Sequence, residues 1–279
     1  MARRASRYLI LGGLIALVGL TALSLPLAAN PNERTIKDDI PVQALDAARG
    51  GTLWVLDFKF VDPRLIKVNI PGRGERLVWY LRYQVINRTN EPRTFVPEFE
   101  LVTHDTRMTY RDQILPSAQE AISRIEDPTG FYKFKNSVTI AAEPIPYSLE
   151  KAAPKAVSGL AIWTDPNEIF PTDDEETRKR KEKMPKLNDS NFYSIFVSGL
   201  SNGWSLTDPV PPSTKPIVRR KTLQLTFRRL GDKFLNKSEA IQFQPPAQWT
   251  YRATQLDLRL GGEGTEKPPA KEKGPEDEK

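Results

Sequence analysis

The stretch RLVWYLRYQVINRTNEPRTFVPEFELVTHD, residues 76–105, decides how this chain folds. In its first half Trp79, Leu81, Tyr83 and Val85 fall on one face, and Arg82 and Gln84 on the other. An alternation of period two marks a strand with one face buried. In its second half Phe95, Phe99 and Leu101 read inward, and Glu98, Glu100 and His104 read outward. The segment between them, NRTNEPR, is rich in turn formers, so the two strands are expected to pair as a hairpin. With their apolar faces aligned, Arg82 would lie opposite Glu98 or Glu100, forming an ion pair on an exposed sheet face.

The same pattern extends outward along the chain. LWVLDFKFV sets Trp54, Leu56, Phe58 and Phe60 against Val55, Asp57 and Lys59, and LIKVNI follows before a PGRGE turn. KNSVTIAAE, VSGLAIWT, FYSIFVSGL, RKTLQLTFRRL, EAIQFQ and QWTYRATQLDL bring the total to about ten short strands with turn-rich spacing, as in an antiparallel sandwich or barrel. The 24 prolines against 16 glycines also argue against a helical bundle. PSAQEAISRIEDPTG reads as one short helix. Its capping box is Ser117 with Glu120, its apolar face is Ala118, Ala121, Ile122 and Ile125, and Asp127-Pro128 stops it. Residues 165–191 form a charged insertion with a second capping-box pattern, Thr172 with Glu175. Glu175–Lys179 and Glu176–Arg180 are spaced i,i+4 on a solvated helix expected to project from the body.

The ends of the chain have other compositions. Residues 1–7 carry Arg3, Arg4 and Arg7, and residues 8–29 are apolar and uncharged. That run is long enough to span a bilayer, and the arginines would keep the N-terminus cytoplasmic. It reads as a transmembrane signal anchor, which would make the protein single-pass with residues 51–260 extracytoplasmic. The alternative is a signal peptide cleaved after Ala22-Leu23-Ser24, releasing a secreted or periplasmic protein. Residues 30–50 read as a polar spacer, and residues 261–279 have the composition of a disordered tail. Absence of cysteine excludes disulfides, thiolate catalysis, iron–sulfur clusters and a lipoprotein anchor. The net charge of +6 draws half its excess from the three N-terminal arginines, so no nucleic-acid partner is expected.

Chemical candidates are few. Gly199-Leu200-Ser201-Asn202-Gly203 matches the G-x-S-x-G nucleophile elbow, which needs a helix after the serine. Here Pro209, Pro211, Pro212 and Pro216 follow, and the only histidine, His104, lies upstream. Asn202-Gly203 is a strong turn pair, so a turn explains the glycine spacing and a serine hydrolase remains the alternative. His104 with Glu98 and Glu100 lacks a compact metal motif, and no cofactor or metal is expected. Arg219, Arg220, Lys221, Arg228 and Arg229 bracket Leu223, Leu225 and Phe227. They read as guards against edge aggregation, or as a patch for anionic polysaccharide or lipid. Trp204, beside the proline-rich segment, is the candidate exposed contact.

LVWYLRYQVINRTNEPRTFVPEFELVTHD resembles the strand pair of bacterial extracytoplasmic immunoglobulin-like sandwich domains. There an aromatic strand ends in an Asn-Thr turn before a strand of alternating Phe and Glu. VRRKTLQLTFRRLGD and QWTYR are similar to segments of uncharacterised membrane-anchored bacterial envelope proteins. The resemblance covers about residues 51–260, lacks the disulfide and tryptophan pattern of true immunoglobulin domains, and implies no catalytic residue. The expectation is therefore a mainly β, antiparallel immunoglobulin-like sandwich with one short helix, a charged helical insertion and an N-terminal transmembrane helix. Its expected role is non-enzymatic: binding or scaffolding an envelope component.

Overall fold

Alternating apolar residues do build strands here, and the strands form two antiparallel sheets. The computed structural model describes residues 33–37, 52–149, 154–170, 172–207, 216–231 and 240–253. The first sheet holds β1 (Glu33–Ile36), β2 (Asp57–Val61), β3 (Arg64–Ile70), β4 (Gly74–Ile86) and β7 (Ala156–Trp163). The second holds β5 (Glu98–Thr103), β6 (Thr109–Arg111), β8 (Phe192–Ser198), β9 (Trp204–Thr207), β10 (Ile217–Arg229) and β11 (Ile241–Arg252). The PGRGE turn joins β3 to β4, with Gly72 and Gly74 at φ +74° and +73°. The described residues belong to one compact unit.

The inward residues of both sheets meet in one core. Phe58 stacks on Tyr83 at 5.4 Å, and Tyr83 lies 4.8 Å from Phe99 of the other sheet. Phe60 meets Phe227 at 6.0 Å, and Trp79 meets Tyr193 edge-on at 5.5 Å. Each such side chain contributes about 1.5–3 kcal/mol on burial. The inward assignments of Trp79, Leu81, Tyr83, Val85, Phe95, Phe99 and Leu101 all hold.

The expected hairpin does not form. β4 is paired with β2 and β3 along one edge and with β7 along the other, so no edge remains for β5. Residues 87–97 instead cross to the second sheet. Asn87 Nδ2 donates to the Glu91 and Ile145 carbonyls at 2.8 and 2.9 Å, Arg93 bridges Ile145, and Phe95 is buried in the core. The expected Arg82 pair with Glu98 or Glu100 is absent for the same reason. Arg82 lies 3.7 Å from Glu126, while Glu98 and Glu100 face Arg111.

The outer face of the first sheet is covered. Val68, Ile70, Val78, Tyr80, Leu160 and Ile162 pack under Ala118 and Ile122 of helix α1 (Pro116–Glu126) and under Phe134. That explains why Leu77 to Leu81 is unbroken apolar sequence: strands buried on both faces lose their alternation. Helix α1 does not use the expected capping box. Pro116 occupies its first turn with Leu115 as N-cap, and Asp127 ends it as expected.

Three other expectations change. KNSVTIAAE is not a strand but contains helix α2 (Ser137–Ala141), capped by Asn136 with Thr139. EAIQFQ and QWTYR merge into the single strand β11, while β1, β6 and β9 appear where no strand was expected. The charged insertion folds as helix α3 (Glu175–Lys183), with Asp174 rather than Thr172 as N-cap. The helix itself has no buried residue and carries the expected Glu175–Lys179 pair at 3.4 Å, while Asp165, Asn167, Leu187 and Ser190 on either side of it are buried. Arg76 and Lys181 hold its base against Phe170, at 4.8 and 4.4 Å from the ring. Residues 1–7, the apolar run 8–29 and the tail 261–279 lie outside the described residues. Among the described residues no helix is long and apolar enough to cross a membrane.

Candidate functional site

The G-x-S-x-G segment is a bulge inside a strand. β8 pairs with β10 up to Val197–Leu223, and β9 resumes the pairing at Trp204–Arg220. Residues 198–203 therefore occupy the length that Lys221 and Thr222 span on β10, which forces the chain out of the sheet. Four hydrogen bonds tie the bulge down. Leu56 N–H donates to the Leu200 carbonyl at 2.8 Å, and Trp54 N–H donates to Asn202 Oδ1 at 2.9 Å. Ser201 Oγ accepts the Gly203 N–H at 3.0 Å, and the Gly203 carbonyl accepts the Lys221 N–H at 2.8 Å. Gly199 has φ +88°, and a β-carbon there would overlap the Val96 carbonyl. Both glycines and the serine are thus accounted for by the turn, and a strand, not a helix, follows.

Where the bulge leaves the sheet, β5 also ends, and Val96-Pro97 turn away. The gap is a cavity of about 720 Å³. Ser201, Asn202, Trp204 and Arg220 line it together with Glu98, Val96 and Val218. Trp204 is half-buried at the start of β9, and Val96 is 64% exposed at the rim. The cavity therefore combines an indole, a guanidinium, a carboxylate and an apolar lip, with a volume in the range of small-ligand pockets.

His104 is elsewhere. Glu98–Ser198 and Thr103–Tyr193 are opposite ends of the β5–β8 ladder, so His104 sits about 20 Å from Ser201. The serine that His104 does touch is Ser194, at 2.8 Å from Nε2. Ser194 is fully buried and also bonds Thr226 at 3.0 Å, so no substrate could reach it. Glu100 is buried at 2% exposure, ion-paired to Arg252, whose guanidinium lies 4.0 Å from the Phe196 ring. Among the described residues no group of three His, Cys, Asp or Glu could hold a metal.

The basic candidates do not form one patch. Alternation along β10 turns Arg220 and Arg228 outward and buries Lys221 (3% exposed) and Arg229 (2%). Lys221 lies 5.5 Å from the Trp249 ring. Arg229 donates to Asn188 Oδ1 at 2.8 Å and lies 5.8 Å from the Trp79 ring. Arg219 Nε donates to Thr207 at 3.2 Å, pinning β9. Arg220 and Arg228 are eight residues apart, about 26 Å, too far to share a small ligand. Of the five, Arg220 alone joins Trp204 at the cavity.

Glu126 went unnoticed in the sequence because its partners are distant in the chain. Arg64 (2.5 Å), the Tyr80 hydroxyl (2.7 Å) and Arg82 (3.7 Å) converge on its carboxylate. Burial, then the Glu126 charge, pushes the Tyr80 phenol well above its usual range. No family model, no curated protein and no solved structure matches this chain, so its function must be argued from these sites.

Proposed function

We propose that this is a non-enzymatic, membrane-anchored envelope protein. In this reading residues 8–29 hold it in the bilayer, and residues 51–260 stand outside the cytoplasm as an immunoglobulin-like sandwich. The domain binds or scaffolds another envelope component at the cavity beside β9. The observation that carries this is the grouping of Trp204, Arg220 and Glu98 around one open cavity with no histidine in reach of Ser201. Tryptophan and arginine are the residues that most often dominate interface energetics. An extended polyanion tracking Arg219 to Arg229 fits less well, since Lys221 and Arg229 face inward.

Photo-crosslinking in intact cells tests this reading. A photoreactive side chain at Val218 or Leu206, both exposed near the cavity, is expected to capture a discrete envelope species. The same group at Tyr147, exposed elsewhere, should not. Identical capture from all three positions would remove the cavity from consideration. Capture of glycan alone would favour polysaccharide recognition.

A further inference from the structure

We infer that the β1–β3 edge of the domain rests against an anionic bilayer surface, with the cavity between Arg34, Arg64 and Ile125 at the level of the lipid headgroups. This rests on the anchored reading of residues 8–29. The observation behind it is β1. As a free spacer, residues 30–50 would let the domain range up to roughly 70 Å from the membrane. Instead β1 pairs Glu33 with Val61 and Ile36 with Phe58. Arg34 is ion-paired to Asp62, Glu33 lies 3.5 Å from Lys59, and the Arg34 guanidinium lies 5.3 Å from the Phe243 ring.

The domain is therefore fastened at Glu33, four residues after Ala29. Four residues reach at most about 14 Å in any conformation. The 22-residue apolar run would be about 33 Å long as a helix, close to the ~30 Å hydrocarbon thickness. It is thus used up at the interface, and headgroups occupy roughly the next 5–7 Å. Whatever surrounds Glu33 lies in or beside that layer.

What surrounds it suits the position. Arg34, Asp62, Arg64, Ile125 and Phe243 share a cavity of about 540 Å³. Ile125, at the end of α1, is 62% exposed and packs in neither core. In the cavity itself Arg34 is balanced by Asp62 and Arg64 by Glu126; Arg82, behind the lining and 3.7 Å from Glu126, gives the wider cluster one excess positive charge. A positive group beside an exposed apolar side chain is complementary to an anionic leaflet.

Because the chain has no cysteine, single-cysteine variants report one site each. The whole chain would be reconstituted in phosphatidylcholine–phosphatidylglycerol vesicles with an environment-sensitive fluorophore at Ile125→Cys or Tyr147→Cys. Tyr147 bridges Asn87, about 23 Å along β4 from Tyr80 at the cavity. The label at 125 is expected to shift to the blue and be quenched by a headgroup-attached quencher, while the label at 147 stays water-like. A flexible Gly-Ser insertion of about 20 residues after Asn30 should abolish the shift at 125 without touching the fold. Water-like emission at both sites in an intact, carbonate-resistant chain would overturn the inference and leave the anchor standing. A mature chain that begins after Ser24 would overturn both.

Discussion

Gly159 shows how one atom can hold a core together. It pairs with Tyr83 across β4 and β7, and a β-carbon at 159 would overlap the phenol ring. Tyr83 is buried, and its hydroxyl has no hydrogen-bond partner among the described residues. Burial, then the nearby Asp112 charge, pushes that phenol well above its usual range. Gly159→Ala must displace the ring from its stack with Phe58 and Phe99, and is expected to cost about 1–3 kcal/mol by denaturant titration. Gly130→Ala, where a β-carbon meets nothing within 4 Å, should cost only the backbone strain of its positive φ. Ser201 belongs to the same scale. A fluorophosphonate probe should label wild type and Ser201→Ala equally weakly, since Ser201 Oγ accepts a backbone N–H and has no histidine nearby. Labelling lost only in the variant would revive the hydrolase reading.

Among the elements, α2 is where local chemistry overrode propensity. Val138, Thr139 and Ile140 are β-branched and read as strand. Asn136 Oδ1 accepts the Val138 and Thr139 N–H groups at 3.1 and 2.9 Å, and Thr139 Oγ1 accepts the Asn136 N–H at 2.9 Å. The closed capping box selects the helix. Asn136→Ala should cost about 1 kcal/mol, read as a lowered melting temperature, and Asn136→Ser should recover most of it. The loop after α1 is similar: the Asp127 carboxylate accepts N–H groups from Phe131, Tyr132 and Lys133 at 2.7, 2.8 and 3.0 Å. In β11, Pro245 and Pro246 interrupt what would otherwise be a long bare edge, since proline offers no donor to a passing strand.

For the whole molecule, carboxylates set a pH dependence. Burial raises the carboxyls of Asp112, Asp165 and Glu168 above their usual range, outweighing the hydrogen bonds and cations that lower them. At Asp105 burial also pushes upward, but hydrogen bonds from Ser190 and the Asn191 backbone prevail and hold it low. A carboxyl raised in the fold binds its proton there before the unfolded chain does, so acidification from neutrality adds stability until unfolded carboxyls protonate near about pH 4. Below that, Asp105 reverses the trend, because the unfolded state then binds the extra proton. Melting temperature of the whole chain should therefore rise from pH 7 toward about pH 5 and fall below about pH 4. Asp112→Asn should flatten the rise. A steady fall from pH 7 downward would contradict this.

Much of the fold was legible because period-two alternation is a local signal. Trp79, Leu81, Tyr83, Phe99 and Leu101 announced their own burial, and the turn chemistry of Asn202-Gly203 marked the bulge. Strand pairing was not legible, since it depends on which edges other strands have already taken. NRTNEPR has hairpin composition, yet β7, arriving about 70 residues later, closes the edge of β4 that β5 would need. For the same reason the ion-pair partners of Arg82, Glu98 and Glu100 came from distant segments, and the basic run on β10 was split by its two faces. The sequence by itself determined a mainly β chain with an inward aromatic face and a turn at Ser201. Only the tertiary structure decided that Trp204, Arg220 and Glu98 share a cavity and that β1 fastens the domain at Glu33, because both need residues that meet through sheet pairing rather than along the chain.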